Sequence, residues 1–398
     1  MKSFAEFFAG VGLVREGLNV SEWECNFAND ISTSKQETYL DNFGSDDFFL
    51  GDIWDIASEP NLVPNDTFLY TASFPCTDLS VAGGRAGLAG AESGTLNALI
   101  EILTEKKRSM KHPKVVLLEN VRGFLTSHHG KDIENTVREF SKLGYFVDII
   151  ELDAIDFSAQ SRPRVFMFAV EEELAKSVLF IKNDASIFDD WWSFFDSKTY
   201  LRSNRVKRII LGAPELNWGL LDVSLPERTS QRLADIVETI PLDSSLWWAS
   251  DRQSHLYSQM SENHKAVLDQ MVRNQTLSFG TVYRRVRKGR SMAELRTDGY
   301  AGCLRTPRGG SSKQILIQAG NGAWNVRLLT AREYARLQGV RDSFKLPENA
   351  NKGYFAMGDA VCVPVIEFIT KHILDAIYLS YVDSCSDEVQ KVDMLALS

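Results

Sequence analysis

The fold is decided by residues 4–12, which read Phe4-Ala5-Glu6-Phe7-Phe8-Ala9-Gly10-Val11-Gly12. The apolar run Phe4–Phe8 predicts a strand, and the residues after Gly12 suit a helix. Glycines between a strand and a helix let a ligand approach the backbone closely, near the positive end of the helix. A motif this short is as often a plain structural turn, so by itself it does not assign a cofactor site.

Short apolar runs alternate with helix-like stretches up to about residue 170, which is typical of a doubly wound α/β sheet. The predicted strands are Phe4–Phe8, Glu24–Ala28, Phe68–Ser73, Val115–Glu119, Phe146–Leu152 and Val165–Val170. The predicted helices are Ser32–Asn42, Thr95–Met110 and Asp132–Leu143. The last two strands are joined by Asp153 to Arg164, which is too short for a helical crossover. We therefore expect them to pair antiparallel as a hairpin.

The regular alternation of strand-like and helix-like segments ends before about residue 185, and the residues after it predict a second, smaller and irregular domain. Tryptophan pairs, scattered prolines and glycines, and a lack of regular alternation mark this part of the chain. We expect a first domain at 1–185, a second at 186–325 and a return to the first at 326–398. In the returning part, Thr330 suits the N-cap of a helix and Pro364 the first turn of a long helix.

Composition excludes several classes of protein. Of the 398 residues, 44% are hydrophobic and 24% charged, which is typical of a globular chain rather than a disordered one. No apolar run approaches the roughly 18 residues that a membrane helix needs. The N-terminal apolar stretch is interrupted by charged residues, so it is a poor match to a signal peptide. The five cysteines are scattered without a C-x-x-C pair, which argues against disulfides and a zinc site. We expect a cytoplasmic protein with no metal and no membrane partner.

Charge is segregated along the chain. The formal net charge is −9, which by itself disfavours a nucleic-acid partner. Between Thr281 and Gln314, however, the sequence contains nine basic residues and only two acidic ones, Glu294 and Asp298. A polyanion could bind this segment although the whole molecule is acidic.

Two acidic residues follow strands downstream of the glycine loop. Asp30 lies about 20 residues after the glycines, where an acid can accept hydrogen bonds from a ribose. Asp52, in Gly51-Asp52-Ile53, is suited to an adenine amino group. Each could be a plain surface acid, but together with the glycine loop they favour a cofactor that contains a nucleoside.

Cys76 is the sharpest candidate for chemistry. It follows a predicted strand in Phe74-Pro75-Cys76-Thr77-Asp78-Leu79-Ser80 and leads into a glycine-rich loop that extends to Gly90. Open α/β sheets place their sites at the carboxyl ends of such strands. The alternative is a buried inert thiol, the usual state of a free cysteine. The loop favours the first interpretation, because a flexible segment could close over a substrate.

A carboxylate and two arginines complete a set with Cys76. Glu119 ends the neighbouring strand, where it would either cap the following helix or contact a heterocyclic nitrogen. Arg162 and Arg164 enter the last strand two residues apart, so we expect them to point the same way and to hold a carboxylate or phosphate. Each arginine alone is also consistent with a solvated surface charge.

Six segments, in order, resemble the motifs of the cytosine-5 DNA methyltransferases. They are Phe8–Gly12, Pro75–Ser80, Glu119–Val121, Gln160–Arg164, Arg327–Gly339 and Gly358–Pro364. The resemblance covers about 1–170 and 327–382. It implies a Rossmann-like, S-adenosylmethionine-dependent methyltransferase sheet, with the family's target-recognition domain between the two parts.

The resemblance implies a role for each matching residue. The residues expected to bind S-adenosylmethionine, with S-adenosylhomocysteine as the product, are Phe8, Gly10, Val11, Gly12, Asp30, Ile31, Asp52, Ile53, Pro75 and Ala360. Cys76 becomes the nucleophile, Glu119 the group that contacts the base, and Arg162 with Arg164 a supporting clamp. Leu13, Thr77 and Asp359 depart from the family pattern, and none of them is a reacting group.

Double-stranded DNA is the partner that the resemblance implies. Ser80 is placed near a phosphate, and Arg305, Arg308 and Lys313 lie in a basic segment that could read guanine edges or contact phosphates alone. The expected setting is a bacterial restriction–modification system, which leaves room for a cognate restriction endonuclease acting on the same site. The alternatives are a transfer-RNA cytosine-5 methyltransferase and a methyltransferase-like DNA-binding protein without turnover. The basic insert favours duplex DNA, and the intact reacting residues favour an enzyme.

Overall fold

The computed structural model describes residues 1–76, 87, 90, 92–182, 188–287, 289–306 and 313–396. Ser80 and Arg308, two of the predicted DNA-binding residues, lie outside these ranges, as does Thr77. The chain divides into two compact units. The first comprises 1–152, 163–226 and 365–398, and the second comprises 153–162 and 227–364.

These units differ from the predicted domains at both boundaries. Residues 186–226 belong to the first unit, because side chains such as Trp191 and Trp218 join its hydrophobic core. Residues 326–364 belong to the second, because the strand that contains Val326 is part of the second unit's sheet. The chain leaves the large sheet after Glu171, the end of its last strand, and stays within the first unit up to Pro226.

The first unit is built on a seven-stranded sheet. Its strands are β1 (Ser3–Phe7), β2 (Glu24–Asp30), β3 (Phe48–Leu50), β4 (Leu69–Ala72), β5 (Val115–Val121), β6 (Tyr145–Asp153) and β7 (Pro163–Glu171). They lie in the order β3-β2-β1-β4-β5-β7-β6, parallel from β3 to β5, with β7 antiparallel to β5. The predicted α/β sheet ending in an antiparallel hairpin is confirmed. The sequence predicts a strand before Asp52 without giving its bounds, and β3, an edge strand of three residues, lies there.

Helices accompany this sheet along the chain. They are α1 (Leu13–Leu18), α2 (Thr33–Phe43), α3 (Ile53–Ser58), α4 (Leu96–Arg108), α5 (Lys131–Lys142), α6 (Glu172–Val178), α7 (Phe188–Ser197) and α8 (Asn204–Gly212). A small ribbon of β8 (Phe180–Ile181) and β9 (Gly219–Leu220) completes the unit. In α4, Leu96, Leu99 and Leu103 recur at helical spacing and are buried in the core. The loops at the carboxyl ends of the strands carry the site.

The second unit contains a four-stranded antiparallel sheet. Its strands are β10 (Ser278–Arg287), β11 (Arg290–Arg296), β12 (Ile315–Gly320) and β13 (Ala323–Leu328), and they lie in the order β11-β10-β12-β13. The helices are α9 (Leu233–Ile236), α10 (Ser250–Ser258), α11 (Glu262–Arg273), α12 (Ala331–Leu337) and α13 (Ala350–Asp359). Leu268 and Met271 of α11 pack on Val282 and Ile317 of the sheet. The sequence pattern hides these strands because arginines interrupt the apolar alternation of β10 and β11.

The C-terminal part confirms two helix predictions. Thr330 caps α12 in a capping box, in which its hydroxyl accepts from the Glu333 N–H and the Glu333 carboxylate accepts from the Thr330 N–H. Pro364 lies in the first turn of α14 (Val363–Ile369), which continues through a π-helical turn into α15 (Asp375–Ala396). The buried apolar face of this long helix carries Ile366, Ile369, Ile373 and Ile377. In the part of the chain that the structure describes, no helix has the length and apolar character needed to span a membrane.

Candidate active site

The loop after β1 turns through left-handed backbone at Phe8 (φ +56°), Gly10 (φ +59°) and Gly12 (φ +81°). A Cβ on Gly12 would lie 2.4 Å from the Phe43 ring, so this glycine is needed for packing against α2. Among the described residues, the nearest atom to a Cβ on Gly10 would be the Phe8 carbonyl oxygen, 4.0 Å away. Gly10 therefore leaves space at the surface of the loop, whereas Gly12 joins the loop to the fold.

Asp30 ties this loop to the end of β2. Its Oδ2 accepts from the Gly10 N–H at 2.8 Å, and its Oδ1 accepts from the Ser32 N–H at 2.8 Å. The side chain is 7% exposed, whereas the next residue, Ile31, is 68% exposed. Because a carboxylate oxygen can accept more than one hydrogen bond, Asp30 can hold the glycine loop and still accept from a ligand hydroxyl.

Asp52 and Ile53 begin α3 at the end of β3. Asp52 caps the helix by accepting from the Trp54 N–H at 3.1 Å, and Ile53 is buried in the core. The turn that carries them is fixed by Asn29, whose side chain donates to the carbonyl oxygens of Phe49 (3.2 Å) and Gly51 (2.9 Å). The sequence analysis missed Asn29. The only signal was an amide next to Asp30 in an otherwise apolar strand.

The carboxyl ends of β1, β2 and β3 meet at one edge of the sheet because these strands are parallel. The loops there bring together the open Gly10 turn, the carboxylates of Asp30 and Asp52, and the exposed Ile31. Carboxylates accept from hydroxyl and amino groups, and an aliphatic side chain offers a face to a flat base. These acceptors and the aliphatic face fit a nucleoside-containing ligand such as S-adenosylmethionine.

Glu6 lies in β1 just before this loop and is almost completely buried. Burial raises the pKa of Glu6 to about 8, although the charge of Arg15 and the N–H groups of Arg15 and Val14 oppose the shift. The carboxyl therefore holds its proton at neutral pH, and it adds little negative charge near the glycine loop.

Cys76 follows β4 at the same edge of the sheet. Ala72 of β4 pairs in parallel with Leu118 of β5, so the chain segments after these residues leave the sheet side by side. The side chain of Asn120 donates to the Phe74 carbonyl oxygen at 3.1 Å and joins the two segments. Cys76 is partly exposed. Asn120 had no predicted role, yet it positions the segment that carries the cysteine.

Glu119 and Arg164 form an ion pair. β5 and β7 are antiparallel, with Val121 opposite Arg164, so the end of β5 meets the start of β7. Arg164 Nε lies 2.9 Å from Glu119 Oε1, and the two side chains are 14% and 11% exposed. The pair holds a carboxylate at a defined place at the mouth of β5, one strand away from the cysteine segment.

Arg162 has different surroundings, which corrects the expectation that the two arginines hold one anion together. Arg162 belongs to the second unit and is 2% exposed. Its guanidinium donates to the carbonyl oxygens of Leu304 at 2.9 Å and Ala360 at 2.7 Å. β7 begins at Pro163, so Arg162 precedes the strand and does not share the side-chain alternation that directs Arg164.

The other predicted residues of the second unit are Ala360, Arg305 and Lys313. The Ala360 carbonyl also accepts from the Gln338 amide at 3.0 Å. Arg305 is exposed, and its Nη1 donates to the Tyr283 hydroxyl at 2.9 Å. Lys313 donates to Asn351 Oδ1 at 2.6 Å. The sequence missed Tyr283, because its contact with Arg305 depends on the pairing of β10.

Among the described residues, no group of three or more His, Cys, Asp or Glu side chains is arranged to hold a metal ion.

Comparison with protein families matches residues 2–375 to a family described as C-5 cytosine-specific DNA methylase. Among curated proteins, the chain is similar to the type II methyltransferase M.HhaI of Haemophilus parahaemolyticus. The identity is 26%, over 93% of this chain and 93% of that protein. A second relative is the type II methyltransferase M.DsaV of Dactylococcopsis salina, with 24% identity over 98% of this chain and 90% of the relative.

Solved structures show the same fold. The Entamoeba histolytica methyltransferase EhMeth aligns with a TM-score of 0.60 and 13% identity, over 94% of this chain and 98% of its own. A putative DNA modification methyltransferase encoded within an Escherichia coli prophage aligns with a TM-score of 0.54 and 17% identity, over 94% of this chain and 98% of its own. At these identities the likeness concerns the architecture alone.

Proposed function

Because the chain belongs to the C-5 cytosine-specific DNA methylase family, we propose that it methylates carbon 5 of a cytosine within a specific duplex DNA sequence, using S-adenosylmethionine. The observation that carries the proposal is the meeting of three features at one edge of the sheet. These are the Cys76 segment, the Glu119–Arg164 pair and the loops around Asp30. A nucleophile, a fixed carboxylate and a nucleoside site are the parts that this reaction requires.

Cys76 supplies covalent catalysis. Carbon 5 of cytosine is a poor nucleophile, but a bond from the cysteine sulfur to carbon 6 moves the ring's electron pair to carbon 5. Once carbon 5 carries the methyl group, loss of its proton to a base restores the ring and expels the thiolate. An ordinary thiol has a pKa of about 8.5, so attack at neutral pH depends on nearby positive charge.

Glu119 and Arg164 position and stabilise the base. As the thiolate adds to carbon 6, negative charge develops at ring nitrogen 3, and Glu119 neutralises it by holding a proton between its carboxyl oxygen and that nitrogen. Arg164 fixes the carboxylate at 2.9 Å in a nearly buried pair, so little reorganisation is needed during the reaction. Arg162, in the second unit, donates to the backbone carbonyls of Leu304 and Ala360.

The loops at the ends of β1 to β3 would hold the methyl donor. Asp30 would accept from ribose hydroxyls, Asp52 from the adenine amino group, and Ile31 would cover one face of the base. Phe8, Val11, Ile53, Pro75 and Ala360 would complete the contacts that the family resemblance assigns. When bound, S-adenosylmethionine supplies a methyl group activated by a positively charged sulfur.

The target base must leave the duplex before this chemistry, because its reacting face is stacked between neighbouring bases. Extrusion costs a few kcal/mol, which contacts to the vacated site must offset. Ser80 would contact a phosphate near the target. In the cell, we infer that the modification protects host DNA from a cognate restriction endonuclease of the same specificity, and the similarity to type II methyltransferases supports this inference.

Bisulfite sequencing of DNA from cells that express the chain tests the activity. We expect protected cytosines at one position of one short motif, and none with Cys76→Ala. A duplex with 5-fluorocytosine at that position should then crosslink to the protein when the methyl donor is present. Methylation without a crosslink would reject the covalent step. Modification of transfer RNA instead of DNA would reject the substrate, and modification of neither would reject the activity.

A further inference from the structure

Helix α8 carries an exposed basic side in the first unit. Residues 200–214, which include this helix, contain Arg202, Arg205, Lys207 and Arg208 and no acid, in a chain whose formal net charge is −9. Arg205 and Arg208 are exposed, whereas the apolar residues Val206, Ile209 and Ile210 are buried in the core. Because residues three apart in a helix are neighbours on its surface, the two arginines share one exposed side of α8.

The segment before α8 is anchored to β6. Arg202 is fully buried and donates from Nε to Asp148 Oδ1 at 2.9 Å and from Nη2 to the Leu221 carbonyl oxygen at 2.8 Å. The Glu151 N–H donates to the Leu201 carbonyl oxygen at 2.7 Å. Hydrogen bonds to charged groups are strong where water is excluded. The helix therefore presents its arginines from a rigid support, and binding to them costs little ordering of the backbone.

The start of α8 lies close to the edge of the sheet that carries Glu119. The Glu151 carboxylate lies 2.9 Å from Arg122 Nε and accepts from the Ser203 N–H at 3.3 Å. Ser203 is the N-cap of α8, so Arg122 and the first turn of the helix meet at one carboxylate. Arg122 follows Glu119 by three residues, and their Cα atoms are therefore at most about 11 Å apart. We call the basic surface formed by Arg122, Arg205 and Arg208 the α8 surface.

Neighbouring cations of α8 differ in their partners. Lys207 donates to both carboxylate oxygens of Asp196, at 2.6 and 2.7 Å, and lies 5.1 Å from the centre of the Trp192 ring. Arg208 Nε donates to the carbonyl oxygen at the start of its own helix, at 3.2 Å. Within the described part of the chain, neither Arg205 nor Arg208 forms an ion pair. These two arginines can bind an external anion without first giving up an acid, whereas Lys207 cannot.

The spacing of these arginines fits a polyanion with regularly spaced charges. Arg205 and Arg208 are separated by about 4.5 Å along the helix axis, at about 1.5 Å for each residue. Phosphates of one DNA strand follow one another at about 3.4 Å along the duplex axis. Guanidinium groups bind phosphates with paired hydrogen bonds, and such contacts fix the position of a duplex without reading its sequence.

We propose that the α8 surface binds backbone phosphates of duplex DNA beside the target cytosine and adds affinity that does not depend on sequence. Arg205 and Arg208 contact phosphates directly, and Glu151 is a positioning residue that holds Arg122 next to the start of α8. The choice of duplex DNA as the polyanion rests on the proposed function. The surface itself rests on its charge, its anchoring to β6 and its closeness to Glu119.

Three single variants of one helix test the surface, because each removes one positive charge. They are Arg205→Gln, Arg208→Gln and the control Lys207→Gln. Fluorescence anisotropy with a random-sequence duplex measures affinity over a range of salt concentrations. We expect each arginine variant to bind about threefold more weakly, and the double variant about tenfold or more. The slope of log affinity against log salt should fall by about one for each lost phosphate contact. Lys207→Gln should stay within about twofold of wild type, because its charge is already paired.

A second duplex, which carries the methylated motif, separates phosphate contacts from the reading of bases. We expect the double variant to lose affinity for the motif duplex and the random duplex by the same factor, because phosphate contacts carry no sequence information. The ratio of the two affinities should therefore stay at the wild-type value. Thermal unfolding checks that each variant is folded, and the same titration with transfer RNA tests the class of nucleic acid.

Three results would overturn the proposal. These are equal losses from Lys207→Gln and Arg205→Gln, a changed ratio between the two duplexes, and a loss confined to transfer-RNA binding. Absence of methylated cytosine, together with weaker binding of the random duplex by the double variant, would reject only the proposed activity. Methylation and DNA affinity that do not depend on Arg205 and Arg208 would reject only the α8 surface.

Discussion

Two arginine–glutamate pairs of this molecule have the same chemistry and opposite environments. Arg164 and Glu119 meet at 2.9 Å with side chains 14% and 11% exposed, whereas Arg285 and Glu294 meet at 3.2 Å with side chains 54% and 29% exposed. Burial strengthens the first pair and fixes its geometry. Water and salt screen the second, so its arginine can exchange its partner for a phosphate. The first unit thus holds its arginine–glutamate pair in a fixed, nearly buried geometry, whereas the second leaves its pair exposed to solvent.

Replacement of the proposed nucleophile should have the largest effect, because it should abolish methyl transfer and leave DNA binding unchanged. We expect Cys76→Ala to transfer no labelled methyl group while it binds duplex DNA as wild type does, because the sulfur acts only in the chemical step. Cys25→Ala is the control. Burial raises the pKa of the Cys25 thiol to about 12, so it is unreactive and its loss should leave methyl transfer in place. Turnover by Cys76→Ala would show that the reaction does not need this sulfur, and the proposed separation of catalysis from DNA binding would be wrong.

The two pairs can be compared by the same substitution. Glu119→Gln keeps the shape of the side chain but removes the charge that faces the base and Arg164. We expect kcat to fall by about 100-fold or more, as for loss of a positioned acid–base group. Glu294→Gln should instead alter DNA affinity at low salt and keep kcat at saturating DNA within about twofold. Similar kcat losses in steady-state assays of both variants would show that burial does not distinguish the pairs.

The sequence predicts the fixed region better than the adaptable one, and the reason is physical. Asp30, Cys76 and Glu119 follow apolar strands, and parallel strands bring such residues to one edge whatever the details of packing. The surroundings of Arg162 depend on where β7 begins, which the sequence does not mark, and on distant carbonyls such as that of Ala360. The strands of the β10–β11 hairpin are hidden because arginines occupy positions that would otherwise show the alternation of a strand.

Arg162 should behave as a structural residue of the second unit. Arg162→Lys keeps the charge but loses the fork that reaches the carbonyls of Leu304 and Ala360. We expect the free energy of unfolding to fall by about 2–4 kcal/mol, measured by chemical denaturation, because buried hydrogen-bonding groups lose their partners. The kcat of the remaining folded enzyme should change less than in Arg164→Lys. A large loss of kcat with unchanged stability would restore the role in substrate binding that the sequence predicts.

The smallest effect is expected from Tyr283→Phe, which refines the comparison within the binding region. The ring remains beneath Arg285 and Arg305, and only the hydroxyl that accepts from Arg305 at 2.9 Å is removed. One exposed hydrogen bond is worth about 1 kcal/mol or less, so DNA affinity should fall by about two- to fivefold. If the hydroxyl acts by holding Arg305, Arg305→Gln should produce a larger loss, and adding Tyr283→Phe to it should produce no further loss. Additive losses in the double variant would mean that Tyr283 contacts the DNA itself. The exposed face around Tyr283 would then hold a fixed contact, unlike its solvent-screened arginine–glutamate pair.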